Sequence, residues 1–205
     1  MPTDALLIFG AGGHGRVVAD AARAAGATGL LASDRNPALC QGELLPGILL
    51  HRPDAPAPAQ ATALHVAIGH NAARERESQA LGPQRLCTVC HPAASVSPFA
   101  QLGTGSFVAA QAVVAPGARL GLGVIVNHGA VVDHDCRIGD FAHIAPGAVL
   151  GGEVRIGPGV LVGAGAVVLP GRSVAAGAVV GAGAVVRDNI DSPGTWVGVP
   201  ARRMA

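Results

Sequence analysis

From Val96 to Val186 every sixth residue is Leu, Ile or Val, sixteen positions in succession without a slip. The residue four places further on is Ala, Ser, Cys or Val in fourteen of the sixteen, the exceptions being Arg172 and Ile190. A period of six fits neither the 3.6-residue turn of an α-helix nor the two-residue alternation of a strand in a hairpin meander. It fits a coil whose flat sides are each one short strand and one tight turn, three hexads closing a triangle. Sixteen hexads then make about five coils. The branched residue points into the prism and the small residue sits at its cramped corner. Such a core needs no large rings, and the chain has only four Phe, one Trp and no Tyr among 205 residues. Pro116-Gly117, Pro146-Gly147, Gly151-Gly152, Ala164-Gly165 and Pro170-Gly171 fall at the turns, where a positive φ favours glycine.

Composition excludes several other readings. A net charge of +1 with 13% charged residues leaves no charge run for nucleic acid or an anionic membrane. The mean hydropathy of +0.44 reflects Val, Ala and Gly at short period, and the uncharged stretch from Ile156 to Gly171 is interrupted by Pro158 and Pro170, so a membrane span is rejected. The opening MPTDALLIFG carries an acid and no basic residue before a very short apolar run, unlike a secretory signal, and a cytoplasmic location is expected. Cys40, Cys87, Cys90 and Cys136 suggest no disulfide framework. Cys87-Thr-Val-Cys90-His91 has the spacing of a c-type haem attachment, but it alternates like a strand and no export signal precedes it, so it reads as structural.

Residues 1–90 lack the hexads and read as an α/β domain, with the repeat domain over 91–205. Strands are predicted at Ala5–Phe9, Gly29–Ser33 and Leu64–Ile68, and helices at Arg16–Ala25 and Asn71–Leu81, with His51–Pro58 a Pro-rich surface connection. Gly10, Gly12 and Gly15 form G-x-G-x-x-G between a strand and a helix, so backbone N–H groups and a helix N-terminus face a phosphate. Asp34 follows about twenty residues later, as a dinucleotide fingerprint requires. Fewer than 90 residues make half of a doubly wound fold, however, which favours a mononucleotide or nucleotide-sugar diphosphate over NAD. The Gly69-His70-Asn71 strand end suits contacts to a base or ribose, and Arg74 suits a phosphate.

The densest polar cluster runs from Asn127 to His143. His128 and His134 fall on turns at the third hexad position and His143 at the sixth, so none points inward and all three are expected to converge along one edge of the prism. Three exposed histidines could also mimic a zinc hydratase of the same repeat class. The attached nucleotide-type domain argues against that, and no metal is expected. The repeat alone also admits a non-catalytic solenoid scaffold.

The G-x-G-x-H-G loop, the short α/β domain, the turn Val132-Asp-His-Asp-Cys-Arg-Ile-Gly-Asp140, His143 nine residues after His134, and the ending Gly198-Val-Pro-Ala-Arg-Arg-Met204 together resemble the bacterial nucleotide-amino-sugar N-acetyltransferases. This is the sialic acid O-acetyltransferase-like branch of the hexapeptide-repeat acyltransferases, and the similarity spans nearly the whole chain. The resemblance implies a left-handed β-helix, a homotrimer, and acetyl-CoA as co-substrate lying between neighbouring helices. It implies acetyl transfer to the 4-amine of a nucleotide-linked 4-amino-4,6-dideoxy sugar, with a sugar-hydroxyl O-acetyltransferase as the alternative. His134 corresponds to the general base and Asp135 to its acidic partner. His143 corresponds to a residue near the thioester, and Gly151-Gly152 to backbone that contacts the coenzyme. Gly12, Gly13, His14, Asp34, Gly69 and Asn71 correspond to the nucleotide-sugar side. His128 departs from the family pattern and receives no role. Cys136 lies at a corner, which favours direct transfer over an acyl-enzyme.

Overall fold

Short apolar runs bounded by glycine turns build a five-stranded sheet at the N-terminus of the computed structural model, which describes residues 5–56, 58 and 61–204. The strands are β1 (Leu6–Phe9), β2 (Leu30–Ser33), β3 (Glu43–Leu45), β4 (Ile48–His51) and β5 (Ala63–Val66), in the order β3-β4-β2-β1-β5. All neighbours are parallel except the β3/β4 pair. That hairpin is absent from the sequence prediction, although its turn, Leu45-Pro46-Gly47-Ile48, has the residues a type II turn demands and Gly47 has φ 80°. Helix α1 (Gly13–Ala24) follows β1, and α2 (Asn71–Leu81) follows β5. The first helix starts three residues earlier than predicted, because Gly12 serves as its N-cap. Part of the predicted His51–Pro58 connection, residue 57, and the first four residues of the chain lie outside the described residues.

The hexads form the predicted coil. Strand partners lie eighteen residues apart, Val114 beside Val132 and Ile138 beside Ile156, so three hexads complete each turn of a parallel β-helix. Its three faces hold five, six and eight strands. The eight-stranded face begins at Val89–Cys90, so the helix opens just before the predicted boundary at 91. Inside, Val126, Val132 and Ile138 alternate with the corner residues Ala130, Cys136 and Ala142, all nearly or wholly buried. Trp196, Ile190 and Ala201 close the C-terminal end against this core. The turn at 151–154 differs from expectation: the residue with positive φ is Glu153, at 63°, and not a glycine of the Gly151-Gly152 pair.

The two domains share a core. Outward-facing Val89, Phe107 and Ile125, stacked on successive coils of the eight-stranded face, pack with Val18, Ala22 and Ala67 of the N-terminal domain. Outward residues of a solenoid are ordinarily wet, so this apolar column is where the second domain must sit. Arg74, 1% exposed, spans the seam: its guanidinium donates to the carbonyls of Ile68 and Gly69 on one side and of Gly123 and Phe141 on the other. The phosphate role predicted for Arg74 is therefore corrected, since its planar fork is spent on backbone carbonyls and on Asn71 Oδ1. Cys90 packs on the helix core and Cys87 on the interdomain core, and all four thiols are free. No helix among the described residues is long and apolar enough to cross a membrane.

Candidate active site

Gly10 leads β1 into α1 with φ 130°, and Gly15 lets that first helical turn lie directly on the strand end, where a Cβ would come 1.9 Å from the Gly10 carbonyl oxygen. The loop is held from outside by Asp34, whose Oδ2 accepts from the Ala11 N–H at 2.8 Å while Oδ1 accepts from Asn36 N–H. Gly12, Gly13, His14, Asp34 and Gly69 line one cleft of about 370 Å3 at the carboxyl ends of the strands. A Cβ at Gly12 or Gly13 would meet none of the described residues within 4 Å, so both present bare backbone to that space. A second cleft of about 590 Å3 runs along the eight-stranded face, lined by Gly69, His70, Asn71, His143, Gly159 and Leu161 among others. Gly69 belongs to both, so the two clefts meet there.

Asn71 has another task than the one predicted. Its amide nitrogen donates to the carbonyls of Gly159 and Val160, and its oxygen accepts from Arg74, so it straps α2 to the β-helix. The helix cap is His70, whose Nδ1 accepts from Ala73 N–H.

Where the clefts meet, four aromatic rings cluster. His14 stands edge-on to Phe107 with ring centroids 5.4 Å apart and lies 6.4 Å from His143, while His65 approaches Phe107 at 6.1 Å. Burial holds all three imidazoles neutral: His14 is pushed down to about 3, and His65 and His143 to about 4. His143 Nδ1 lies 3.2 Å from the Gly69 carbonyl and must carry the proton, which leaves Nε2 to accept from Asn127 Nδ2 at 3.1 Å. Both nitrogens of the residue predicted to lie near a thioester are thus engaged within the chain. His14 Nε2, by contrast, is buried without a partner among the described residues. Phe107 and His65 are the residues that sequence reasoning missed here, and Asn127 was placed in the polar cluster without a role. The signal for Phe107 was present, as a large ring at an outward hexad position.

The expected convergence of His128, His134 and His143 is not observed within one chain. His143 lies on the eight-stranded face, His128 on the turn joining that face to the six-stranded one, and His134 on the turn joining the six- and five-stranded faces. The coil rises by one strand every eighteen residues, so positions six and fifteen residues apart fall on different sides of the prism. His134 and Asp135 are instead an exposed pair, 56% and 57% accessible, with His134 Nδ1 3.0 Å from Asp135 Oδ2. That hydrogen bond raises the His134 pKa above its ordinary value; desolvation opposes the rise, and the charges of Asp133, Asp135 and Glu153 add to it. With Nδ1 donating to Asp135, the free lone pair is on Nε2. Asp135 occupies the left-handed region, φ 59°, where ten other turns of the helix place glycine at the equivalent position, for example Gly117 and Gly171. Asp is among the few side-chain-bearing residues that tolerate it.

One coil beyond, Gly152 makes room for the ring: a Cβ there would lie 2.3 Å from His134 Nε2. Other coils carry proline at this position, Pro116 and Pro170. Gly151 and Gly152 also differ in their amides. Gly151 N–H is bonded to the Val168 carbonyl and its own carbonyl accepts from the Cys136 thiol, whereas Gly152 N–H has no acceptor among the described residues. An exposed imidazole nitrogen thus lies over a buried glycine whose N–H is unspent, and a base and a backbone donor are the groups that acyl transfer requires. Cys136 is buried at its corner with a thiol pushed up to about 11, unsuited to act as a nucleophile. Among the described residues no group of three metal-ligating side chains is assembled.

A parallel β-helix with an exposed imidazole–carboxylate pair on its edge, joined to a glycine-loop domain with a bare-backbone cleft, has the architecture of a hexapeptide-class acyltransferase. Comparison with known proteins agrees at both ends of the chain. Residues 5–81 match the PglD N-terminal domain and residues 153–188 the bacterial transferase hexapeptide (six repeats). The acetyltransferase domain of PglB from Neisseria gonorrhoeae is 38% identical, with a TM-score of 0.90 over 98% of this chain and 100% of that one. PerB from Caulobacter crescentus, solved with CoA and GDP-perosamine, is 34% identical with a TM-score of 0.90, covering 100% and 99% of the two chains. WeeI from Acinetobacter baumannii, at 23% identity and a TM-score of 0.82, shares the fold. No curated protein matches the sequence. The chain belongs to the PglD-like sugar acetyltransferases, and its β-helix is the left-handed one of that family. It is an acyltransferase.

Proposed function

We propose that the protein transfers the acetyl group of acetyl-CoA to the 4-amine of a nucleotide-linked 4-amino-4,6-dideoxy sugar, directly and with His134 as general base. The observation that carries this reading is the exposed His134–Asp135 pair set over Gly152, whose N–H is unspent. The amine nitrogen attacks the thioester carbonyl as Nε2 of His134 removes its proton, the carbonyl oxygen takes up charge facing the Gly152 N–H, and collapse breaks the C–S bond as the imidazolium returns the proton to sulfur, releasing CoA thiol. Asp135 fixes the imidazole tautomer and stabilises the imidazolium that forms. Membership of a family whose solved members bind CoA and GDP-perosamine supports the pairing of co-substrates.

The nucleotide diphosphate would lie on the Gly12-Gly13 backbone at the N-terminus of α1, placing the sugar near His14 and the junction of the clefts at Gly69. His134 sits on another side of the same prism, so a neighbouring copy must bring its edge to this junction. An apolar column on the six-stranded face, Val113, Val131, Val149, Val167 and Val185, supports a homotrimer. The direct test is CoA thiol release from acetyl-CoA with UDP-, dTDP- and GDP-linked 4-amino-6-deoxyhexoses beside free sialic acid and a sugar-free blank. Release with one nucleotide series alone is the expected result. Release with sialic acid would make the enzyme an O-acetyltransferase, and silence throughout would refute acetyl transfer to either class of sugar.

A further inference from the structure

The five-stranded face of the β-helix carries a feature that acetyl transfer at the His134 edge does not use. Arg119, Arg137 and Arg155 stand in register on three successive coils, each pointing outward. Neighbouring strands lie about 4.8 Å apart, so three guanidinium groups are stacked along about 10 Å of the coil axis. A solvated sheet face ordinarily sets unlike charges opposite one another, because like charges in register repel. Here no carboxylate of the described residues lies within 4 Å of any of the three.

Their donors are also largely unspent. Arg137 reaches backbone carbonyls, chiefly that of Gly117 at 2.9 Å, while Arg119 and Arg155 make no side-chain hydrogen bond among the described residues. Beside this column the other outward position of each strand is glycine: Gly121, Gly139 and Gly157. A Cβ at these positions would come within 2.2–2.5 Å of the next coil, so the winding itself forbids a side chain. The result is a groove of about 630 Å3, floored by bare backbone and walled along one side by arginine. Asp191 lies at its C-terminal end, and at the other end the Asp140 carboxylate, which accepts from the Leu122 N–H, lies beside Gly121. A slim, multiply charged anion with several acceptor oxygens per unit fits this shape and charge better than a single carboxylate does, because each guanidinium offers a planar fork of donors.

We propose that Arg119, Arg137 and Arg155 form a binding site for a linear array of phosphoryl groups, the chemistry carried by the phosphates of coenzyme A and equally by a free oligophosphate. The coenzyme source rests on the acetyl-transfer reading; the anion site itself does not. The test compares the intact protein with the double variant Arg119→Gln/Arg155→Gln, leaving Arg137 to brace the turn before it. Tripolyphosphate is titrated calorimetrically into both, and KM is measured for acetyl-CoA and for acetylpantetheine, which lacks all the phosphates. A tenfold or greater rise in KM for acetyl-CoA with acetylpantetheine unchanged would support the site and assign it to the coenzyme. Tripolyphosphate binding that weakens tenfold or more in the variant, with both KM values unchanged, would support it and assign it to another phosphate-bearing ligand. Tripolyphosphate affinity and KM both within twofold of the intact protein would overturn the proposal. So would loss of the native oligomer on size-exclusion chromatography, which would make the ladder a contact between copies. The calorimetric arm needs no turnover, so a failure of the acetyl-transfer reading would leave it intact.

Discussion

The same side chain is driven in opposite directions in two parts of this molecule. At the seam between the domains, burial takes His14, His65 and His143 far below their ordinary pKa and locks them as neutral rings. At the open edge, Asp135 and the acids around it raise that of His134. The seam therefore supplies shape and fixed hydrogen bonds, while the edge supplies proton affinity. Proximity in sequence does not distinguish them, since His134 and His143 are nine residues apart. What separates them is which side of a triangular coil each falls on.

The largest effect that would sharpen this contrast lies at the edge. Replacing His134 with Ala should lower kcat by about 10²–10⁴, the usual contribution of a general base, while calorimetric affinity for the nucleotide sugar stays the same. A fall of less than tenfold would remove His134 from proton transfer. At the seam, Arg74→Met should cost about 3 kcal/mol or more in urea denaturation, because several buried carbonyls lose their donor at about 1–3 kcal/mol each. A loss below 1 kcal/mol would mean that the domains are held by the Phe107 column alone.

Acid should act on the seam before anything else there fails. Histidines whose folded pKa lies near 3–4 bind fewer protons than in the unfolded chain, where they titrate near 6.5, so stability is complete above about pH 6.5 and declines as pH falls toward 4. Thermal scans across that window should show a falling Tm, and a His65→Gln variant should show a shallower slope. A slope equal to that of the unaltered protein would show that His65 does not contribute. The smallest effect is expected at Asp135, whose left-handed backbone costs about 1 kcal/mol relative to glycine. Asp135→Gly should raise stability by about that amount while slowing turnover, as removal of the carboxylate lowers the His134 pKa. A variant both more stable and fully active would show that the carboxylate has no catalytic part.

Much of the fold was legible because a solenoid is written in one dimension. The hexads fix the interior column and, by counting three to a turn, bring Ile138 beside Ile156. The glycine loop was legible for the same local reason, since strand, turn and helix follow one another directly. The β3/β4 hairpin was less so: its strands are only three and four residues long, and the Pro46-Gly47 turn was its clearest mark. Departures from the repeat were the readable part of the site, Asp135 where glycine is usual and Gly152 where proline recurs.

Sequence alone could not say where those departures end up in space. Arg74 and Asn71 look in sequence like ligands for a phosphate and a ribose, yet both are consumed by backbone carbonyls of the β-helix 49 to 89 residues away. The arginine ladder is invisible to a scan for charge runs, because its members lie eighteen residues apart and meet only when the coil closes. Local spacing thus determined the coil, its core and the glycine loop, which depend on residues near one another in the chain. Tertiary structure decided which polar groups are spent and which remain free, because hydrogen bonds and burial are settled by neighbours that the chain supplies from a distance.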